Sequence, residues 1–409
     1  MKFPKPPEVN IGMVGHVDHG KSTLTKLITG VKTDYFSEEI KRGISIKLGY
    51  ADAAIYKCGD PSRGPLYATN PKDCVGGAEF QRVVSFVDSP GHETLMATML
   101  SGAAIMDGAI MVIAANEKCP QPQTREHLMA LNILGIDKII IVQNKIDLVS
   151  EERALESYKE IKEFVKGTVA ENSPIIPMSA IDNTNLDALL GAIQTYIPTK
   201  NFIKDANPLM YVARSFDVNK PGTKPEDLKG GVVGGSIIQG VFRIGDEIEI
   251  SPGIMQTKGN KKTYIPIYSK IASIISGNME LEEKGPGGLV GIGTYLDPYL
   301  TKGDNLVGQI VGKRGTLPKP VNTLKLKARV LDKVVGSQNE MKVDKIGKQE
   351  TLLLNVATAV TVGTVTQTKG DIIELELKYP VIALQGQNVA ISRRIQNRWR
   401  LIGSGIVLQ

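Results

Sequence analysis

The chain has 409 residues, of which 42% are hydrophobic, and this suits two or three domains with ordinary buried cores. Its 49 basic and 43 acidic residues leave a formal net charge of +6, an excess that permits a nucleic-acid partner without indicating one. Three cysteines cannot build a disulfide framework, and the sequence has neither a long apolar run nor an apolar signal segment. We therefore expect a soluble protein of the reducing cytoplasm, with no membrane partner.

The first half of the chain alternates between strand-like and helix-like segments. The apolar runs typical of buried strands are residues 9–14, 83–88, 109–115, 139–143 and 175–178. The helical patterns between them cover residues 92–104, 124–134, 151–165 and 186–197. Such alternation predicts a mainly parallel sheet with helices on both faces, and ligands bind beyond the carboxyl ends of its strands.

The second half of the chain has a different sequence pattern. From residue 210 onward, short β-rich runs are separated by glycine and proline turns, which predicts small barrels. The pattern breaks near residues 198–201 and again at residues 315–320. We therefore predict an α/β domain at residues 1–204, followed by two β-barrel domains at residues 205–318 and 319–409.

The first predicted strand leads into a loop, residues 15–22, that reads G-H-V-D-H-G-K-S. This matches a phosphate-binding loop, in which backbone N–H groups and the start of the next helix face an anion. Lys21 would neutralise the β- and γ-phosphates of a nucleotide, and the Ser22 hydroxyl would ligate the Mg²⁺ between them. The residues predicted to bind nucleotide here are Asp18, His19, Gly20, Lys21, Ser22 and Thr23.

A second motif, D-S-P-G-H at residues 88–92, follows another predicted strand. Asp88 can hold the Mg²⁺ through water, and the Gly91 N–H can sense a γ-phosphate. Both residues lie at a strand end, on the side of the sheet where the phosphate-binding loop is expected. The motif therefore predicts the second part of a triphosphate and magnesium site.

A third motif, N-K-I-D, ends a later strand. The Asp147 carboxylate can accept two hydrogen bonds from the N1–H and the exocyclic amine of guanine, and adenine cannot supply that pair. We assign Asn144 and Lys145 to the same base site. Ser179 and Ala180, which follow the next strand, would offer a backbone N–H to the guanine O6. The sequence thus predicts GTP as substrate, GDP as product and Mg²⁺ as cofactor.

These motifs, in this order, resemble the translational GTPases, in which a GTP-binding domain precedes two β-barrels, as in elongation factor Tu. Further blocks extend the resemblance over nearly the whole chain and fit the branch that acts in initiation, namely residues 10–21, 41–50, 120–127, 214–222, 285–289, 392–394 and 399–403. The resemblance implies an α/β P-loop GTPase domain followed by two β-barrel domains, and a GTP hydrolase.

The same resemblance implies a switch and a set of partners. The GTP form of such factors binds aminoacylated tRNA, and the GDP form releases it. The implied partners are initiator methionyl-tRNA, the small ribosomal subunit, and the alpha and beta subunits of a heterotrimer. No residue spacing indicates where those subunits would dock.

By resemblance, His92 orients the attacking water. Lys21 would stabilise the developing charge, and we also assign Asp18 to the catalytic residues. Ser45 stands where the family has a magnesium-binding threonine, and its hydroxyl can still ligate. We hypothesise that Asp18, an acidic residue inside a phosphate-binding loop, helps to hold a second Mg²⁺ or the nucleophile. The predicted magnesium ligands are Ser22, Ser45, Asp88 and Asp18. The histidines whose side chains are interpreted as structural or loop residues are His16, His19 and His127.

The resemblance fails between residues 56 and 80, where many relatives carry a zinc knuckle of two C-x-x-C pairs. Here each pair keeps one cysteine, Cys58 or Cys74, and no histidine lies nearby. Two thiolates cannot complete the four-coordinate site of structural zinc. We therefore predict a mobile loop that binds no zinc.

Two features are candidates for tRNA binding. Tyr50 matches a tyrosine implicated in the family's pocket for the methionylated end, and an aromatic ring suits stacking on a terminal adenine. The alternative is a core residue at the end of a strand. A basic cluster could contact tRNA phosphates or simply form a solvated barrel face, and it consists of Arg393, Arg394, Arg398 and Arg400 with Trp399.

Three other functions compete. A selenocysteine-specific or other tRNA-carrying elongation factor has the same architecture, but the selenocysteine factor normally extends well past the second barrel. A GTPase subunit of sulfate adenylyltransferase is disfavoured by the block R-S-F-D-V-N-K-P-G at residues 214–222. A scaffold that no longer hydrolyses is disfavoured by four residues that are all present, namely Lys21, Ser22, Asp88 and His92.

Overall fold

The computed structural model describes residues 3–33, 48–92, 95–259, 261–332 and 342–408. They form two compact units, one built on Pro7–Lys200 and the other on Asn201–Asp332 together with the chain from Val343 onward. The domain limits predicted at 204/205 and 318/319 lie in the connecting segments 197–208 and 314–320. Among the described residues, no helix has the length and apolar character needed to cross a membrane.

The first unit alternates strands and helices along the chain. Its strands are β1 (Val9–Gly15), β2 (Gly49–Cys58), β3 (Tyr67–Ala68), β4 (Ala78–Asp88), β5 (Gly108–Ala114), β6 (Ile139–Asn144) and β7 (Ile175–Pro177). Its helices are α1 (Lys21–Thr29), α2 (Met96–Ala103), α3 (Pro122–Leu134), α4 (Glu151–Val165) and α5 (Leu186–Tyr196). The sheet order is β3-β2-β4-β1-β5-β6-β7, in which only β2 and β3 pair antiparallel with their neighbours.

The apolar runs in the sequence correspond to the centre of this sheet. Every residue of β1, β5 and β6 is buried. Strands at the centre of a parallel sheet are covered on both faces, which explains why they read as continuous apolar runs. Leu24 and Ile28 of α1 and Leu190 and Ile193 of α5 pack into the same core as β1. The predicted α/β domain with a mainly parallel sheet is confirmed.

Several elements differ from the prediction, most clearly β2 and α2. The sequence did not predict β2, which pairs antiparallel with β4 from Gly49 opposite Asp88 to Cys58 opposite Ala78. Its first half is rich in alanine, which has a weak preference for strands. Helix α2 begins at Met96 rather than at residue 92, and the residue before it has the non-helical angles φ −106° and ψ 15°.

The loop between β2 and β4 contradicts the prediction that its two cysteines are reduced thiols. Cys58 and Cys74 form a disulfide, because the antiparallel pairing of β2 with β4 brings the two ends of the loop together. A backbone hydrogen bond also joins Gly59 N to Gly77 O at 3.0 Å, so the two ends of the loop are held together. The mobility of the loop stays a prediction. Both sulfurs are used in the disulfide, and the absence of zinc stays a prediction. Cys119 is a free, buried thiol whose pKa burial raises to about 12.

A buried guanidinium ties β4 to the end of α5. Arg82 Nη2 donates to the carbonyls of Ile193 and Ile197, each 2.8 Å away. The carbonyls at the end of a helix lie at the negative end of its dipole, so a cation is well suited to this place. Burial lowers the pKa of Arg82, an effect that the charge of Glu8 partly offsets. This contact helps to fix the strand whose last residue is Asp88.

The second unit begins with a barrel. Its strands are β8 (Leu209–Phe216), β9 (Val232–Gln239), β10 (Phe242–Arg243), β11 (Glu247–Lys258), β12 (Lys261–Ser276), β13 (Met279–Leu281), β14 (Glu283–Lys284), β15 (Val290–Thr294) and β16 (Ile310–Lys313), with the short helix α6 (Pro298–Thr301). Six strands close in the order β11-β16-β8-β9-β15-β12, because β12 pairs back onto β11. Strand β13 extends the sheet from β12, and β10 and β14 form a separate ribbon.

A second barrel follows in the same unit. Its strands are β17 (Val321–Val330), β18 (Thr351–Val356), β19 (Ala359–Lys369), β20 (Ile372–Val381), β21 (Asn388–Ile395) and β22 (Arg398–Val407). They close in the order β17-β20-β19-β18-β21-β22. In β17, Leu324 and Leu326 point into the core while Lys325 and Lys327 are exposed, which is the alternation of a half-buried strand. The two predicted β-barrels are confirmed.

Candidate functional site

The phosphate-binding loop connects β1 to α1 at the carboxyl end of the sheet. Helix α1 begins at Lys21, and the residue before it, Gly20, has the left-handed angles φ 98° and ψ 23°. Lys21 Nζ donates to the carbonyl of His16 at 2.7 Å, so the side chain folds back across the loop, and only 7% of it is exposed. A concave backbone with a buried ammonium group is suited to a phosphate chain.

The D-S-P-G-H segment lies against this loop. A Cβ on Gly91 would come within 2.5 Å of Lys21 Nζ and 3.0 Å of the backbone of Gly15 and Val17, so this position has no room for a side chain. His92 is half-buried, and its carbonyl accepts from Leu95 N at 2.9 Å. The geometry therefore brings the second predicted motif to the first.

An oxygen-rich site lies where α1 begins and β4 ends. Ser22 Oγ donates to Asp88 Oδ2 at 2.8 Å, and Asp88 is 1% exposed. The sequence predicted both as magnesium ligands. It missed Thr33, whose Oγ1 donates to the same carboxylate oxygen at 2.6 Å. A carboxylate and hydroxyl groups are the donors that a hard cation such as Mg²⁺ prefers.

The predicted base site is built from the ends of β6 and β7. Asn144 is buried, and its amide joins two loops: Nδ2 donates to His19 O at 2.9 Å, and Oδ1 accepts from Ala180 N at 3.1 Å. Asn144 thus holds the phosphate-binding loop next to the loop of Ser179. Asp147 is exposed in a short 3₁₀ turn after β6, where its carboxylate can meet a ligand.

Two buried histidines support the phosphate-binding loop. His127 Nδ1 accepts a hydrogen bond from Gly15 N at 2.8 Å, so this ring carries its proton on Nε2. Burial, reinforced by the charges of Lys21 and two other histidines, lowers the pKa of His127 to about 3. Burial likewise lowers the pKa of His19 to about 4, although Glu117, 3.4 Å from its Nε2, acts in the opposite direction. Both rings are neutral at pH 7, and both positions make contacts within the protein.

We expect these two rings to make the first unit less stable in acid. In the unfolded chain they take up protons near pH 6.5, whereas in the folded chain they stay neutral down to about pH 4 for His19 and about pH 3 for His127. The unfolded state therefore binds more protons below pH 6.5, and each ring lowers the free energy of unfolding by about 1.4 kcal/mol per pH unit there.

Urea unfolding at pH 7 and pH 5, followed by far-ultraviolet circular dichroism, measures this effect. The variant His127→Gln cannot titrate at this position, so its loss of stability between the two pH values should be smaller than that of the wild type by about 2 kcal/mol. Equal losses in the two proteins would contradict the assignment of a neutral buried ring to His127.

The structure also gives the position of most other predicted site residues. Asp18 is exposed with φ 61°, and Thr23 is exposed on the first turn of α1. Lys145 has φ 62° just before the 3₁₀ turn of Asp147. Tyr50 lies on β2 opposite Val87, half-buried, with its hydroxyl oxygen inside the protein. Ser45 falls outside the described residues.

The basic cluster of the second barrel is not a uniform surface. Arg393 forms two hydrogen bonds with Glu350, one of them from Nη2 at 3.2 Å, and Nη1 donates to Asp344 O at 3.0 Å. Its guanidinium thus holds the segment before β18, which makes Arg393 a poorer candidate for tRNA phosphates than the exposed arginines of the cluster. Arg394 and Arg398 are exposed, and Arg400 and Trp399 are half-buried.

Two family models match the chain, one in the GTP-binding domain and one in the second barrel. The family model described as the elongation factor Tu GTP binding domain matches residues 6–199, and the model of initiation factor eIF2 gamma, C terminal, matches residues 322–407. Among solved structures, a bacterial selenocysteine-specific elongation factor superposes with a TM-score of 0.74 at 23% identity, over 98% of this chain and 58% of its own. Translation elongation factor SelB from Methanococcus maripaludis, solved with a GTP analogue, gives 0.72 at 23% identity over 100% and 80%. These likenesses show the fold.

Similarity in sequence is much higher to another group. Translation initiation factor 2 subunit gamma from Methanocaldococcus jannaschii is 62% identical over 408 residues, which cover 99% of this chain and 98% of that protein. The protein of the same name from Thermoplasma volcanium is 59% identical over 407 residues, or 100% and 98% of the two chains. Since such identity extends over the GTP-binding domain and both barrels, the chain belongs to the family of translation initiation factor 2 gamma subunits, translational GTPases that form one chain of a multi-subunit factor.

Proposed function

We propose that this chain binds GTP and Mg²⁺ at the phosphate-binding loop of its first unit and, in its GTP form, carries initiator methionyl-tRNA to the small ribosomal subunit. It acts in the cytoplasm as one subunit of a heterotrimer with alpha and beta subunits. Hydrolysis of GTP to GDP then releases it. The observation that carries the nucleotide part is the convergence of Lys21, Ser22 and Asp88 at one end of the sheet.

The residues at this point fit a magnesium ion. Ser22 and Asp88 place a hydroxyl and a buried carboxylate 2.8 Å apart, and both are oxygen donors. Ser22 would ligate the ion directly and Asp88 through water, with Ser45 and Asp18 as the further proposed ligands. When bound, Mg²⁺ neutralises charge on the phosphate oxygens.

Other groups of the chain bind the phosphates and the base and orient the attacking water. Lys21 and the N–H groups at the start of α1 hold the phosphates, and Gly91 presents its N–H to the γ-phosphate. Asp147 accepts hydrogen bonds from guanine. Asn144 holds the loop that binds the base next to the loop that binds the phosphates. His92 orients the attacking water as it approaches opposite the leaving phosphate.

For tRNA, Tyr50 is the proposed stacking residue for the terminal adenine, and the exposed Arg394 and Arg398 are the remaining candidates for phosphate contacts. The alpha and beta subunits complete the binding species, so the experiment below includes them.

Filter binding with labelled initiator methionyl-tRNA tests the function. The full chain with its alpha and beta subunits should bind this tRNA at least about tenfold more tightly with GTP than with GDP, a typical coupling between two ligands. The variant His92→Ala should keep this preference while it loses hydrolysis, because His92 acts on water and not on tRNA. Binding that ignores the nucleotide, or no binding, would contradict the proposal.

A further inference from the structure

We propose that Thr33 is a positioning residue that orients the Asp88 carboxylate for Mg²⁺. This inference rests on the proposed function in one respect, that Ser22 and Asp88 hold the ion of the bound nucleotide. Its starting point is a shared acceptor: Asp88 Oδ2 receives hydrogen bonds from Ser22 Oγ at 2.8 Å and from Thr33 Oγ1 at 2.6 Å.

Burial makes both hydrogen bonds important. Asp88 is 1% exposed and Thr33 is 5% exposed, so water is largely excluded from this contact. A buried carboxylate is costly unless donors surround it, and a donor to a charged group is stronger than one to a neutral group. Thr33 is also branched at Cβ, which limits its rotamers and makes it a stiff donor.

The backbone around Asp88 is arranged to admit this threonine. Gly49, the first residue of β2, is paired directly with Asp88. A Cβ on Gly49 would lie 2.7 Å from Thr33 Cβ and 3.3 Å from its carbonyl oxygen, closer than side chains tolerate. A larger residue at position 49 would therefore displace Thr33, whose hydroxyl contacts the carboxylate. The contact thus depends on three segments: the chain after α1, the start of β2 and the end of β4.

The two hydroxyls have different roles in this arrangement. Ser22 can donate its proton to Asp88 and still offer its oxygen lone pairs to a cation, since a hydroxyl is both donor and acceptor. Thr33 reaches Asp88 from another part of the chain and restricts how the carboxylate can rotate. Without that hydrogen bond, Mg²⁺ has to order the carboxylate as it binds, and its affinity falls.

Release of a fluorescent GDP analogue from the full chain, measured from chelated to millimolar Mg²⁺, tests this role. In Thr33→Val, the Mg²⁺ concentration that half-maximally slows release should rise about tenfold, which corresponds to ~1.4 kcal/mol and to one hydrogen bond to a charged group. Thr33→Ser keeps the hydroxyl and should stay near the wild type. Gly49→Ala keeps Thr33 but displaces it, and should shift in the same direction as Thr33→Val.

The matched control is Thr195→Val. This removes a hydroxyl that donates to Gly191 O at 3.1 Å within α5, and it should leave the Mg²⁺ dependence unchanged. With all Mg²⁺ chelated, Thr33→Val should release GDP at the wild-type rate. A wild-type Mg²⁺ response in Thr33→Val, an equal shift in Thr195→Val, or faster release without Mg²⁺ would each overturn the role of Thr33.

A reference variant separates this inference from the magnesium site itself. If wild-type release does not respond to Mg²⁺, or if Ser22→Ala responds as the wild type does, the proposed magnesium site fails and the role of Thr33 fails with it. If the wild type responds, Ser22→Ala is impaired and Thr33→Val is not, only the role of Thr33 fails.

Discussion

Asp147→Asn is expected to change the preferred nucleotide from GTP to xanthosine triphosphate. The carboxylate accepts from two donors of guanine, and each hydrogen bond to a charged group contributes about 1.5–3 kcal/mol, so GTP affinity should fall by roughly 10²–10⁴-fold. Xanthine carries a carbonyl where guanine carries its amine. The new amide can accept from N1–H and donate to that carbonyl, which restores the pair.

Competition between the two nucleotides for the full chain measures this change. The control is Asp137→Asn, the same substitution at an exposed carboxylate two residues before β6, at the opposite end of that strand from Asp147. It should leave the GTP preference unchanged. Unaltered GTP binding in Asp147→Asn, or a loss of GTP binding with no gain for xanthosine triphosphate, would contradict the assignment of Asp147 to the base.

Lys21→Ala is expected to slow GTP hydrolysis strongly and also to weaken GTP binding. The ammonium group is buried inside the loop and hydrogen-bonded to His16 O, so its place cannot be filled by another side chain without rearrangement. Removing a charge that stabilises the transferring phosphoryl group typically costs about 10²–10³-fold in rate. GTP affinity should fall as well, because Lys21 neutralises phosphate in the bound state before any chemistry occurs.

Single-turnover hydrolysis and GTP titration separate these two effects. The control is Lys26→Ala, which removes an exposed lysine from the last turn of the same helix, and it should behave as the wild type. Circular dichroism should show that both variants are folded. Near wild-type hydrolysis in Lys21→Ala would exclude Lys21 from the phosphate site.

Strand β2 and the disulfide are two features that local sequence patterns did not predict. The alanine-rich start of β2 resembles no strong strand, and only its pairing with β4 makes it one. The same pairing brings Cys58 to Cys74, 16 residues along the chain, although the spacing suggested two separate remnants of a zinc site. Arg393 was read as an exposed cation, but Glu350, 43 residues earlier, holds it.

Local sequence patterns were enough to predict the α/β domain, the two barrels, the phosphate-binding loop and GTP as substrate, because each prediction depends on residues that are adjacent or regularly spaced. The side chains that support these motifs are recognised only in the folded chain. Thr33 meets Asp88 across 55 positions, and His127 meets Gly15 across 112. Such contacts leave no periodic signal, since they arise where strand ends and loops from distant parts of the chain converge at one edge of the sheet.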